Sequence, residues 1–254
     1  MLDNHYELVQ SRGKYAYPPL SLRFCDPENA PDAVLWGQPV AICGPSQMDG
    51  PQFAGYSSFK LDEYHRGLLN SSNSSEVLLG VASVTFWGFA QGRGGRHTTN
   101  RALGRARNVA GQGKRGGDAE HIIIEAVGRI LSLIEDGRRQ EAILEAMTLK
   151  HHGLAFGSKL LAFCAPESEC VYDEVISLRL EKDSDPRLRQ LHVATRGQHN
   201  LAAKSSAYAG WAALCTAKAE ELNLKGMMWR DWDGSERIWR AIDVERAFFA
   251  LGRD

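Results

Sequence analysis

The chain predicts a mainly α-helical protein carrying an irregular, partly β N-terminal wrap, and three observations predict it. Seven of its nine prolines fall in the first 51 of 254 residues, where regular helix is therefore disfavoured. Past residue 60, strand-like alternation is scarce and apolar residues recur at helical spacing. Gly, Asn and Ser clusters punctuate those apolar runs where helix ends are needed.

In the wrap, residues 1–60, short extended segments are expected at Ala33 to Trp36 and at Val40 to Cys43. The tract from Asn70 to Ser75 reads as a turn and N-cap before a helix of about 76–90. That helix (Val77, Leu78, Leu79, Val81, Val84, Phe86, Trp87, Phe89) is apolar on every side, so it should be central and buried. Ile123, Val127, Ile130, Leu131 and Ile134 give the spacing of one face of a helix over about 119–136, ended by Gly137. A second helix is expected over about 138–150. A hairpin turn follows at 151–157, then a two-turn helix from Ser158 that Pro166 stops. Further helices are expected near 173–182, 203–223 and 235–251. The last is too apolar to stand alone and should pack back on the N-terminal half.

Composition is that of an ordinary globular protein, with 43% hydrophobic and 24% charged residues. The first ten residues hold Asp3 and Glu7 and no apolar core of a signal peptide. The longest apolar stretch, Val77 to Ala90, is too short to span a bilayer. A cytoplasmic protein without a membrane partner is expected. Five cysteines at scattered spacings, without a CxxC pair, suggest buried reduced thiols and neither metal nor cofactor. His151 and His152 are adjacent and cannot both face one metal on a helix. They read as residues of the hairpin or of a surface that faces a partner.

The net charge of −1 conceals an asymmetry. No carboxylate lies between Glu76 and Asp118, and that window carries Arg93, Arg96, Arg101, Arg105, Arg107, Lys114 and Arg115. Such a segment in a neutral protein points to a polyanionic partner. Its eight glycines, from Gly92 to Gly117, would leave backbone N–H groups free to approach phosphates. The alternative is a solvated, flexible loop.

Lys159 and Asp173 each begin a short apolar, helix-like run just after a turn. A helix N-terminus concentrates partial positive charge, which disfavours an ammonium and favours a carboxylate. Facing one pocket, the two would present a less basic amine beside an ionised acid, an arrangement suited to amine attack on an electrophilic carbon.

Helix, short Gly-containing hairpin, Lys, and a later Asp opening a helix: this order resembles the helix-hairpin-helix DNA glycosylases. Their hairpin usually reads Gly-hydrophobic-Gly-x-Lys, and Ala155-Phe156-Gly157-Ser158-Lys159 matches it with Ala in the first place. Val171-Tyr172-Asp173 matches the downstream segment that ends in the acid. More narrowly, four segments are similar to a bacterial 8-oxoguanine-glycosylase-like family: Gly157 to Leu161, Phe86-Trp87-Gly88, Arg101 to Arg105, and Trp239 to Glu245. Some relatives in that family are associated with defence against phage DNA carrying modified bases. The resemblance covers roughly residues 75–251. The Lys-to-Asp spacing is shorter than is common there, and the C-terminal cysteine cluster of some members is absent.

The resemblance implies two helical subdomains around a cleft. Residues 61–118 with 183–254 would form one, bearing the basic tract, and 119–182 the other, bearing the hairpin. It implies double-stranded DNA with a modified base as partner, no cofactor, and no obligatory protein partner. A target base stacked in a duplex must be flipped out before C1′ can be reached. Lys159 would attack C1′, expel the base and leave a Schiff base, and Asp173 would stabilise positive charge at the sugar. A lysine amine in water is only about one part in a thousand neutral near pH 7, so its surroundings must favour the neutral form. Schiff-base chemistry would permit strand cleavage afterwards. Arg93, Arg96, Arg101, Arg105 and Arg107, with Phe156, Gly157 and Ser158 of the hairpin, are the expected DNA contacts, Phe156 at the hairpin tip either resting against the duplex or simply packing the hairpin. Phe86, Trp87, Trp211 and Trp239 are candidates to stack on the extruded base, with ordinary core packing the alternative for each. Two other classes stay open: a non-catalytic DNA-binding module, and a small-molecule lyase or aldolase with a Schiff-base lysine, which has no need of the basic tract.

Overall fold

The computed structural model of the protein describes residues 4–45, 53, 55–90, 99–197 and 199–251, and it is mainly helical. The N-terminal wrap is more ordered than its prolines suggest. It opens with α1 (His5–Gly13), whose first turn is capped by the Asn4 side chain accepting from the Glu7 N–H. Three short strands follow, β1 (Ser21–Phe24), β2 (Ala33–Leu35) and β3 (Gln38–Cys43), antiparallel in the order β1-β3-β2. The two expected extended segments are β2 and most of β3. Helix α2 (Ser58–Leu69), capped by Ser57, ends the wrap. Neither α1 nor α2 is evident in the sequence, because each buries polar side chains such as Arg12, Asp62 and His65 where a simple pattern demands apolar ones.

Helix α3 (Ser74–Ala90) is the central element, as its uniform apolarity requires. It packs against α2, β1 and α4 (Thr99–Val109). The sheet is fixed to it where the Leu22 N–H donates to Ser83 Oγ. Helices α5 (Glu120–Glu135) and α6 (Arg139–Thr148) lie antiparallel across Gly137, which supplies the left-handed φ of +71° that the turn requires. Helix α7 (Leu154–Cys164) begins four residues ahead of the expected start at Ser158, so the hairpin contracts to 149–153. The cause is local: Phe156 and Gly157 N–H groups both bond the Gly153 carbonyl and draw that stretch into helix.

Helix α8 (Glu174–Lys182) starts as expected. After the short α9 (Pro186–Arg189) comes the 24-residue α10 (Leu201–Leu224). A two-stranded hairpin, β4 (Trp229–Arg230) and β5 (Glu236–Arg237), then displaces the start of the last helix, so α11 spans only Ala241–Ala250. As its apolarity demands, α11 packs on α1 and α10. One hydrophobic cluster runs from Leu8 and Leu69 through Ile130, Leu160 and Tyr172 to Trp211 and Phe248. Among the described residues, no helix is long and apolar enough to cross a membrane.

A buried ionic lattice joins both ends of the chain. Asp243 accepts from Arg12 at 3.0 Å and Arg240 at 2.8 Å, and Asp62 accepts from Arg240 and Arg246 at 2.6 Å each. All five side chains are sealed from water. Removing one partner of such a lattice would leave an uncompensated buried charge, a loss of about 3–5 kcal/mol.

Candidate active site

Gly153 opens α7 without a side-chain cap, and the preceding turn carries His151 at a left-handed φ of +70°. That turn is clamped to the end of the basic tract. His151 Nε2 bonds the Gly116 carbonyl at 2.7 Å, the Lys150 N–H donates to Asp118 at 2.7 Å, and Lys150 Nζ donates to the Gly117 carbonyl at 2.9 Å. His152 instead turns inward and is buried, bonding the Lys150 carbonyl. Burial pushes its pKa down and keeps it from the surface.

Lys159 lies in the second turn of α7, so the positive end of that helix dipole does not act on it as directly as the sequence implied. Its side chain is 6% exposed. Its amine stands 3.5 Å from Asp173 Oδ2 and 3.4 Å from the Ala155 carbonyl. Asp173 is the N-cap of α8, where Oδ1 accepts from the Val175 and Ile176 N–H groups at 3.0 and 3.2 Å. One carboxylate oxygen is thereby fixed, and the other is aimed at the amine.

Ser158 sets the spacing between the two. It is fully buried, its Oγ accepting from the Tyr172 N–H at 2.9 Å and lying 3.2 Å from the Tyr172 carbonyl. Its hydroxyl ties α7 to the residue before Asp173 and does not face a partner, which corrects its expected role as a DNA contact. Gly157 is corrected likewise. A Cβ there would come within 3.2 Å of Ile143 and 3.3 Å of Ala146, so it is the point of close approach between α6 and α7.

Phe156 sits in the first turns of α7, not at a hairpin tip. Its ring stacks on Phe89 of α3, centroids 4.3 Å apart, and its centroid is 5.4 Å from Lys159 Nζ. Above Phe89 lie the guanidinium groups of Arg105 at 4.9 Å and Arg101 at 6.0 Å. A stack of cation, ring, ring and amine thus runs from α4 to Lys159. Along α4 and the turn after it, Arg101, Arg105, Arg107, Lys114 and Arg115 line an open groove of about 400 Å³ with Asn108 and two glycines. No carboxylate is in that lining. Arg107 also donates to the Asp32 carbonyl at 3.3 Å. Of the tract's described glycines, Gly104 lies within α4, whereas Gly111, Gly113, Gly116 and Gly117 follow it. Arg93 and Arg96 lie outside the described residues.

The four expected stacking aromatics are core residues. Phe86 and Trp211 are fully buried, and Trp87 and Trp239 are 2% exposed. Trp211 Nε1 donates to the Val171 carbonyl at 3.1 Å, anchoring the segment before Asp173. Trp87 packs between Tyr17, 4.4 Å away, and Phe163, 4.9 Å away, and Phe86 belongs to the cluster beneath the sheet. Size and apolarity send large aromatics into the core, and nothing in the sequence separates that fate from a pocket wall.

Sequence reasoning missed two residues. Gly88 lies against the Lys159 stem: a Cβ there would stand 2.6 Å from the Phe156 ring and 3.1 Å from Lys159 Cδ. The Phe86-Trp87-Gly88 segment contained it, but only the contact explains it. Glu245 of α11 is 3% exposed, and burial together with the charge of Asp173 pushes its carboxyl up to about 8. Its position in an apolar helix gave no sign of this.

No family model matches the chain, and neither a curated protein nor a solved structure does.

Proposed function

We propose that the protein is a DNA glycosylase acting on a modified base, an oxidised purine or a phage-type modified cytosine, with Lys159 as nucleophile and Asp173 as electrostatic partner. The single observation that carries this reading is the buried amine held 3.5 Å from a carboxylate whose other oxygen is fixed by two backbone N–H groups. The amine displaces the base at C1′: a C–N bond forms, and the glycosidic bond breaks with its electron pair leaving on the base. The departing base takes up a proton, the attacking nitrogen releases its own, and opening of the sugar ring leaves a Schiff base. Asp173 stabilises positive charge at the sugar. β-Elimination from that Schiff base would then cleave the strand. The basic groove along α4 supports a phosphate backbone running past the amine.

A reading as a non-catalytic DNA-binding protein draws on the same groove but leaves the buried amine without a task. Borohydride reduction during incubation with duplexes carrying oxidised, alkylated or glucosylated bases separates the two. Covalent trapping is expected from the native protein and should vanish in Lys159→Ala. Tight, salt-sensitive binding with no trapping on any duplex would overturn the enzymatic reading.

A further inference from the structure

Two adjacent histidines fasten the turn before α7 in opposite directions. His152 is buried, with Nε2 3.4 Å from Thr85 Oγ1 of α3 and Nδ1 2.9 Å from the Lys150 carbonyl. His151 reaches the other way, to the turn that follows α4, where its Nε2 donates to the Gly116 carbonyl at 2.7 Å. Gly116 directly follows Lys114 and Arg115, the two cations at that end of the basic groove. The backbone is bent to suit this bond. A left-handed φ of +70° falls on His151, while Gly153, which could adopt it freely, has a φ of −73°. Such a conformation in a residue with a side chain carries a local cost and persists only where its surroundings hold it.

The turn that His151 grips is itself stiff. The Gln112 and Gly113 N–H groups both bond the Arg107 carbonyl, and the Gly116 N–H bonds the Gly113 carbonyl. A Cβ on Gly117 would stand 2.2 Å from the Val109 carbonyl oxygen, so that residue is packed against the end of α4. From His151 to the amine the path is short. The Gly153 carbonyl accepts from the Phe156 and Gly157 N–H groups, and the Ala155 carbonyl lies 3.4 Å from Lys159 Nζ. Groove, turn and amine are thus joined by consecutive contacts. Lys150 adds two bonds to the same turn, but its side chain is 57% exposed on a flexible stem, whereas the imidazole has few rotatable bonds.

We propose that His151 is a positioning residue that sets the basic groove in register with Lys159, so that a phosphate backbone held by Lys114 and Arg115 brings one nucleotide to the amine. The proposal rests on Lys159 being the reactive amine of the function above. Without the imidazole the groove still holds phosphates, because its cations are untouched, and the Lys150 bonds keep the turn folded. What is lost is the fixed distance between the held strand and the amine.

The test uses His151→Gly, since glycine adopts the left-handed φ without strain and only the imidazole is removed. His151→Asn, which also tolerates that φ, covers a glycine variant that fails to fold. Hydrogen exchange read by mass spectrometry, with and without an unmodified duplex, is the first measurement. In the native protein the duplex should slow exchange in 111–118 and 149–157 together. In the variants the slowing should persist in 111–118 and disappear from 149–157. The second measurement is borohydride trapping, which should fall about ten- to a hundredfold, the penalty for a misplacement approaching 1 Å, while affinity for the unmodified duplex keeps its native value. Slowing of 149–157 that survives in both variants, or trapping at the native rate, overturns the proposal. A loss of affinity as large as the loss of trapping overturns it as well, because His151 would then be a DNA contact. Linked protection in the native protein without trapping on any duplex would sink the glycosylase reading alone, and trapping with unlinked protection would sink the role of His151 alone.

Discussion

At the residue scale, the site depends on how near α3 can come to Lys159. Gly88 permits that approach, and its carbonyl is held by the Tyr17 hydroxyl at 2.8 Å. Introducing a methyl group 2.6 Å from the Phe156 ring must move the ring or the lysine stem, because Phe156 is also stacked on Phe89. Gly88→Ala should reduce borohydride trapping by about ten- to a hundredfold, the penalty for a misplacement approaching 1 Å. The fold should tolerate it, since alanine favours helix over glycine by about 1 kcal/mol and offsets part of the strain. Thermal unfolding monitored beside trapping checks this. Unchanged trapping would show that Gly88 does not position the amine. Ser158, Gly157 and Trp211 teach a related lesson: each lies in a segment read as DNA-facing or pocket-lining, and each holds the scaffold together.

At the element scale, α4 turns a run of basic residues into one face. The sequence disclosed the charge but not the helix, since Gly104 and the flanking glycines argue against regular structure. Packing on α3 overrides that propensity: Ala102, Leu103, Ala106 and Val109 are buried, and Arg101 and Arg105 are left above Phe89. If this face carries the phosphate backbone, Arg101→Gln and Arg105→Gln should weaken binding to all duplexes alike. Each should lower the slope of log affinity against log salt by about one. Titrations at several salt concentrations measure it, and slopes equal to the native value would remove the groove from the interface.

At the scale of the whole molecule, buried ionisable groups tie the ends of the chain to its centre and should shape stability against pH. His65 is fully buried between α2 and α3, with Nδ1 near the Leu61 carbonyl at 3.0 Å and Nε2 near Ser83 Oγ at 2.9 Å. The neutral ring fits both bonds, with Nδ1 donating and Nε2 accepting. Burial pushes its pKa down to about 3. Between pH 6.5 and 3 the unfolded chain binds a proton that the folded one does not, so His65 destabilises the fold as pH falls through that window. Glu245 has the opposite sign. Its folded carboxyl keeps a proton from 4.5 up to about 8 that the unfolded chain releases, so its contribution is lost as pH rises. The two offset each other where the windows overlap, leaving an acid limb and an alkaline limb of up to about 1.4 kcal/mol per pH unit. Urea unfolding across pH should show the acid limb flattened in His65→Gln and the alkaline limb flattened in Glu245→Gln. A limb that persists unchanged in its variant would refute that assignment.

Periodicity and chain punctuation were enough to determine the helical class, the buried α3, the α5–α6 pair and the acid that opens α8, because these follow from spacing and short-range hydrogen bonding. The order of a glycine-containing turn, Lys159 and Asp173 likewise drew attention to one amine and one carboxylate. Only the tertiary structure decided that they stand 3.5 Å apart, that α7 starts early enough to place Lys159 in its second turn, and that Glu245 of α11 is buried. It also decided that the four large aromatics belong to the core. The physical reason is that burial and charge coupling depend on which helices meet. Contacts between residues some seventy or more positions apart, such as Gly88 with Lys159 or Arg246 with Asp62, leave no local pattern to read.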